Sequence, residues 1–266
     1  VRYFCGDKDP FTGRNFDGIE NYKRAGVMGD HQGQGRLYSK AELTDMLEDS
    51  GFLHHKFYGV FPEIPCPQIL IAEGYEPDEE LGLRIFPQYH SPDTIFLEEE
   101  NLYSTMMHNG LFWVMANGFF IECPLDGAFS PADQVSLSAD RGKENAMCTM
   151  IGNDGTVIKK PLYKEGLKKA EALKENNEYL KNRGIGMIEG ELSDGAFVMP
   201  YVKGVSLVKH FRRLMTEDIQ EFLCQFDALW QMILDSSDHV DREEVEWERF
   251  NPWWEEETDE RKKKNI

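Results

Sequence analysis

Cysteine is sparse in this chain of 266 residues: Cys5, Cys66, Cys123, Cys148 and Cys224 lie far apart and are odd in number. That is not a disulfide framework, and no CxxC pair exists to hold zinc. A reducing, cytoplasmic setting is the simplest expectation. Basic residues are also short, with 29 Lys+Arg against 48 Asp+Glu and a net charge of −19. Phosphates and anionic lipid surfaces need cationic partners, so a broad nucleic-acid face and a charged membrane surface are both disfavoured. No run approaches the ~20 apolar residues that span a bilayer. No charged-then-apolar leader opens the chain. It begins Val1-Arg2-Tyr3-Phe4, without Met, which reads as processing or as a piece of something longer. GxxxxGK[ST], strand-borne GxGxxG, GxSxG, HExxH and an EF-hand loop are all missing.

What is present is ordinary globular material, 41% apolar, long enough for one large or two modest domains. Residues 1–38 are rich in Gly, Asp, Asn and aromatics and hold no period, so a long loop is expected after at most a short strand at 2–5. Ser39 and Glu42 form a capping box for a helix over 39–50, with Leu43, Met46 and Leu47 on one face and Gly51 as its stop. Strands follow over 55–61 and 68–72, separated by Pro62, Pro65 and Pro67. A helix over 97–110 and a strand over 111–123 complete the first half. A turn-rich boundary is placed at 124–131.

The second half alternates at 135–138 and 146–151, turns at Asn153-Asp154-Gly155, and resumes as a strand over 156–160. Leu167, Ala170, Leu173 and Leu180 mark a helix over 165–182. Strands are expected at 185–187 and 196–199, around the turn Ser193-Asp194-Gly195. The strongest helix is 217–234, capped by Thr216, with Ile219, Phe222, Leu223, Phe226, Leu229, Trp230 and Ile233 in one stripe. That stripe predicts a buried Phe226.

Candidate chemistry is concentrated in the opening loop. Asp7, Asp9, Arg14, Asn15 and Asp17 stand among Tyr3, Phe4, Phe11 and Phe16. Such a mixture can line a pocket that orients a polar substrate, and it equally suits a solvated loop. His108 has the pKa range of a general base, but packing explains its segment better. His54-His55 is a poor metal pair, because neighbours on a strand point to opposite faces.

Five strings then stand out together: Tyr3-Phe4-Cys5-Gly6-Asp7, Thr12 to Glu20, Tyr38 to Leu43, Ser50-Gly51-Phe52 and Lys56 to Pro62. They resemble the C-terminal half of a class I, S-adenosylmethionine-dependent methyltransferase of the gut Firmicutes type, often found beside cell-surface glycan genes. The resemblance covers residues 1–123. It implies that the Ser39-capped helix and the Lys56 strand are the last helix and an antiparallel hairpin strand of a Rossmann-like sheet. It also implies S-adenosylmethionine as cofactor and a polar small-molecule or glycan-type acceptor. The donor site belongs to earlier strands, so this chain is expected to be a fragment that lacks it.

The second half resembles the small lobe of protein kinases and aminoglycoside phosphotransferases. Thr156-Val157-Ile158-Lys159-Lys160 is similar to the strand bearing the phosphate-binding lysine, with Glu171 or Glu175 as its partner on the next helix. Met199 to Leu207 is similar to the hinge. Lys159, Lys160 and Glu171 are therefore the nucleotide-binding candidates. No DFG string follows, and although His239-Val240-Asp241 spells H-x-D, Asp238-His239-Val240-Asp241 is not expected to serve as a catalytic loop. A scaffold lobe without nucleotide is the expected state. The composite expectation is an α/β chain, with residues 1–124 the C-terminal part of a Rossmann-like methyltransferase, 132–235 a kinase-like α+β lobe, and 236–266 an acidic tail. The alternatives are a phosphotransferase or kinase-like remnant and a non-catalytic interaction module, for the latter of which Trp247, Trp253 and Trp254 are docking candidates.

Overall fold

A computed structural model describes residues 2–8, 38–77, 81, 85–113, 115–138 and 142–237. Its centre is one eight-stranded sheet in the order β3-β1-β2-β4-β5-β6-β8-β7. The strands are β1 (Lys56–Phe61), β2 (Ile69–Ala72), β3 (Gly118–Glu122), β4 (Ala132–Ser138), β5 (Met147–Gly152), β6 (Thr156–Pro161), β7 (Glu191–Ser193) and β8 (Ala196–Pro200). Every pairing is antiparallel. The chain is thus mixed α/β, and the parallel crossovers that make a Rossmann sheet do not occur among the described strands.

The helices are α1 (Lys40–Asp49), α2 (Tyr103–His108), α3 (Leu167–Asn182), α4 (Leu207–Glu217) and α5 (Ile219–Ser236). The capping box of α1 forms as its spacing implies: Ser39 N donates to Glu42 Oε2 at 2.9 Å, and Glu42 N donates to Ser39 Oγ at 3.3 Å. Gly51 closes the helix at φ 87°, a conformation that favours glycine.

The main core lies under β1 and β2. Phe61 stacks on Phe112 at 4.1 Å between centroids, and Tyr103 meets both rings edge-on. Cys5, Ile69, Ile71, Leu81 and Ile85 complete the fully buried set. Each such side chain contributes roughly 1.5–3 kcal/mol by leaving water.

The segment 124–131 is a turn, but the sheet does not stop there. β4 pairs with β2 through Ile69↔Ser136, Leu70↔Val135 and Ile71↔Gln134. Side chains reinforce this junction. Lys56 Nζ donates to Ala132 O at 2.7 Å, Tyr58 Oη donates to the same carbonyl at 3.1 Å, and Ser130 N donates to Glu122 Oε1 at 2.7 Å.

Other elements differ from the sequence reading. Arg2–Cys5 is a 3-10 turn rather than a strand. The expected helix over 97–110 contracts to Glu99–Asn101 and α2, and the following strand begins only at Gly118. Residues 185–190 run irregularly, while β7 takes the strand role beside β8. The helix expected over 217–234 is α5, and a further helix, α4, precedes it. Asp218, not Thr216, caps α5 by accepting from Glu221 N at 3.1 Å. Phe226 is 47% exposed, so the stripe it marks is not a core face. No described helix is long and apolar enough to cross a membrane. The tail beyond Ser237 lies outside the described residues, and Trp247, Trp253 and Trp254 with it.

Candidate functional site

Strand parity separates the two lysines of β6. Successive side chains of a strand point to opposite faces, and directly paired residues of antiparallel neighbours share one. Lys159 pairs with Thr149 on β5 and Phe197 on β8, and Val157 pairs with Met199. Lys160 pairs with Cys148 and points the other way.

The helix α3 identifies which face is covered. Pro161 shares the face of Lys159, and a Cβ built on Gly166, the residue before α3, stands 3.0 Å from Pro161 Cβ. The same face buries Met147, Val157 and Phe197. Ala170 is the buried residue of α3. Lys159 therefore lies half-buried on the helix-covered face, and Lys160 is exposed on the other.

Glycines allow the close approaches around this face. Gly190 sits against the ring of Phe197, and a Cβ there would collide with it. The β5–β6 turn is fixed by Asp154, whose Oδ1 accepts from Thr156 N at 3.0 Å, and by Gly155 at φ 78°. Tyr201 N donates to Gly155 O at 2.7 Å, which ties the segment after β8 to this turn. An open groove beside the turn is lined by Thr156, Glu189, Glu191, Val198 and Met199, among others.

Glu171 is exposed on α3, and among the described residues no ion pair joins it to Lys159 or Lys160. Lys181 instead pairs with Glu189 across the α3–β7 connection, which holds the Glu189 carboxyl below its ordinary range. Behind the sheet, burial pushes the Cys148 thiol up, while nearby Lys160 pulls it down.

Asp7 has a different task from the one its sequence context suggests. It is 1% exposed. Its carboxylate accepts from Ser91 N at 2.8 Å, His90 N at 3.2 Å and Lys8 N at 3.0 Å. It clamps the backbone at 90–91 to the start of the chain. Gly6, at φ 105°, leaves no room for a Cβ against the Thr94 carbonyl. Asp9, Arg14, Asn15 and Asp17 lie outside the described residues.

The sequence reading did not single out Glu99, which is fully buried. Asn117 Nδ2 donates to its Oε2 at 3.0 Å and to Pro62 O at 2.8 Å. Glu99 N donates to Tyr89 Oη at 3.0 Å. Burial pushes the Tyr89 hydroxyl up to about 12, and burial followed by the Glu99 charge raises the Cys5 thiol. No periodicity marks a buried carboxylate in an acidic run, so the sequence offered no signal for it.

His108 is exposed, with its Nδ1 3.8 Å from Glu76 Oε1. Among the described residues no group of three or more His, Cys, Asp or Glu is placed to hold a metal.

Comparison with protein-family models, with curated proteins and with solved structures gave no match.

Proposed function

We propose that residues 132–235 are a nucleotide-binding small lobe of the phosphotransferase kind, joined to the C-terminal portion of an S-adenosylmethionine-dependent methyltransferase over residues 1–124. The observation that carries the first part is the position of Lys159. Phosphotransferases of the protein-kinase type place a phosphate-holding lysine on the third strand of the lobe, facing the following helix. Within β4-β5-β6-β8-β7, β6 is third in chain order, α3 follows it, and Lys159 lies on the face that α3 covers. Lys159 is half-buried, and among the described residues no ion pair joins it to a carboxylate, which suits a counter-charge for a phosphate.

The methyltransferase part is supported by the strings over residues 1–123 and by two local agreements. A Ser39-capped helix precedes β1, and β1 forms an antiparallel pair with β2, as the resemblance implies. The acceptor class is polar, with glycan-type molecules the leading candidates. Among the described residues no Gly-rich strand-turn-helix with an acidic ribose partner occurs, and no methyl-transfer step is assigned to this chain.

Binding rather than turnover is the proposed activity: no DFG string follows Lys159, and the one H-x-D string, His239-Val240-Asp241, lies outside the described residues. The test is calorimetric titration of the whole chain with magnesium and ATP. Binding is expected in the native chain, lost in Lys159→Ala and kept in Lys160→Ala. No heat in the native chain, or equal loss in both variants, overturns the assignment. S-adenosylmethionine titrated into the same chain is expected to give no heat, and saturable heat contradicts the division of sites proposed above.

A further inference from the structure

The helical hairpin α4–α5 leaves a continuous apolar stripe uncovered. At about 100° per residue, Ile219, Leu223, Phe226, Trp230, Ile233 and Leu234 fall within a sector of about 100° on α5. They are 49%, 52%, 47%, 50%, 41% and 49% exposed. α4 meets α5 along one edge of this stripe, where the Phe211 ring lies 6.2 Å from Phe226. Phe222 packs edge-on against Phe211 at 5.4 Å, and His210 Nε2 bonds Gln225 Oε1 at 2.7 Å. The hairpin's own seam thus borders the stripe without covering it, since Phe226 keeps 47% of its surface exposed.

We propose that this stripe is the contact surface of a homodimer, with α5 of a second copy as its occupant. Two observations select that occupant. The first is area. Six side chains of roughly 200 Å² each, half exposed, leave about 600 Å² of apolar surface. That exceeds or equals the largest apolar patch of a typical monomer. It also matches the apolar share of the ~800 Å² each partner contributes to a stable interface.

The second is charge. α4 carries Lys209, Arg212 and Arg213 against the single acid Glu217, which lies 3.7 Å from Arg213, whereas α5 carries Glu221, Asp227 and Asp235 and no Lys or Arg. On α5, Asp227 and Asp235 flank the stripe on the side away from α4. A two-fold axis running along α5 sets α4 of one copy beside this acidic edge of the other. An axis perpendicular to α5 would bring basic helix to basic helix and acidic edge to acidic edge. The surface is self-complementary only in the parallel arrangement, so the two copies of α5 run in the same direction.

Sedimentation of the full chain over a range of concentrations tests this, together with hydrogen exchange at each concentration. The expected result is a rise in mass toward twice that of one chain, with exchange over 219–236 slowing in step. Leu223→Asp should abolish the rise. Asp227→Lys, an exposed change that leaves the fold intact, should weaken it independently of any folding effect of the first variant. A chain that stays monomeric overturns the proposal: protection already present over 219–236 then points to cover from within the chain, and absent protection to a different partner. A dimer unmoved by both variants overturns it as well.

Discussion

Asn117 donates a hydrogen bond to the carboxylate of Glu99 at 3.0 Å, and Glu99 is fully buried. The contact joins the turn before β3 to the 3-10 turn at Glu99–Asn101, and a second bond from Asn117 reaches Pro62 O at the end of β1. A hydrogen bond to a charged group contributes about 1.5–3 kcal/mol, and more is at stake when the charge stays buried. Asn117→Ala is expected to destabilise the fold by at least that amount. Urea unfolding measures it, and a loss below ~0.5 kcal/mol contradicts the role given to this pair.

Tyr89 makes stability depend on alkaline pH. Its hydroxyl is pushed up to about 12 by burial, and Tyr58 is raised too, by burial and then by the Glu122 charge. The unfolded value is about 10. A group whose folded value is raised contributes fully below the unfolded value and loses that contribution as pH rises through the folded one. Stability is thus expected to hold up to about pH 10 and to fall between about 10 and 12. Tyr89→Phe should flatten part of that fall, as followed by thermal unfolding across the range. An unchanged profile would show that Tyr89 is not desolvated.

Phenylalanines at two places should respond oppositely. Phe61 is 0% exposed and stacked on Phe112, so Phe61→Ala is expected to cost about 3–5 kcal/mol. Phe226 is 47% exposed, so Phe226→Ala should cost less than ~1 kcal/mol when measured below the concentrations at which chains associate. Equal losses would mean that α5 is covered within the monomer.

Where local chemistry dictates structure, the sequence was readable. Ser39 and Glu42 announced the start of α1, Gly51 its end, and Asn153-Asp154-Gly155 the β5–β6 turn. These features depend on residues within a few positions of one another. The antiparallel continuity of the sheet was not readable, because the pairing of Ile71 with Gln134 joins distant segments that carry no shared mark. The apolar stripe of α5 showed where a hydrophobic face lies but not what covers it, so Phe226 was assigned to a core it does not join. At the candidate site, composition left Lys159 and Lys160 equivalent. Only the register against Phe197 and Cys148, with α3 over one face, separates them. Asp7 looked like a ligand-binding carboxylate because its partners, the amides of His90 and Ser91, lie far along the chain.

The most direct measurement uses an ATP whose terminal phosphate carries an acyl group. A nearby lysine amine attacks the acyl carbon, forms an amide and releases ATP, and peptide mass spectrometry locates the amide. Labelling concentrated on Lys159 and suppressed by excess ATP with magnesium is the predicted result. Labelling of Lys160 in preference, or labelling of Lys159 that excess ATP leaves unchanged, would contradict the assignment of a phosphate-holding lysine to the covered face of the sheet.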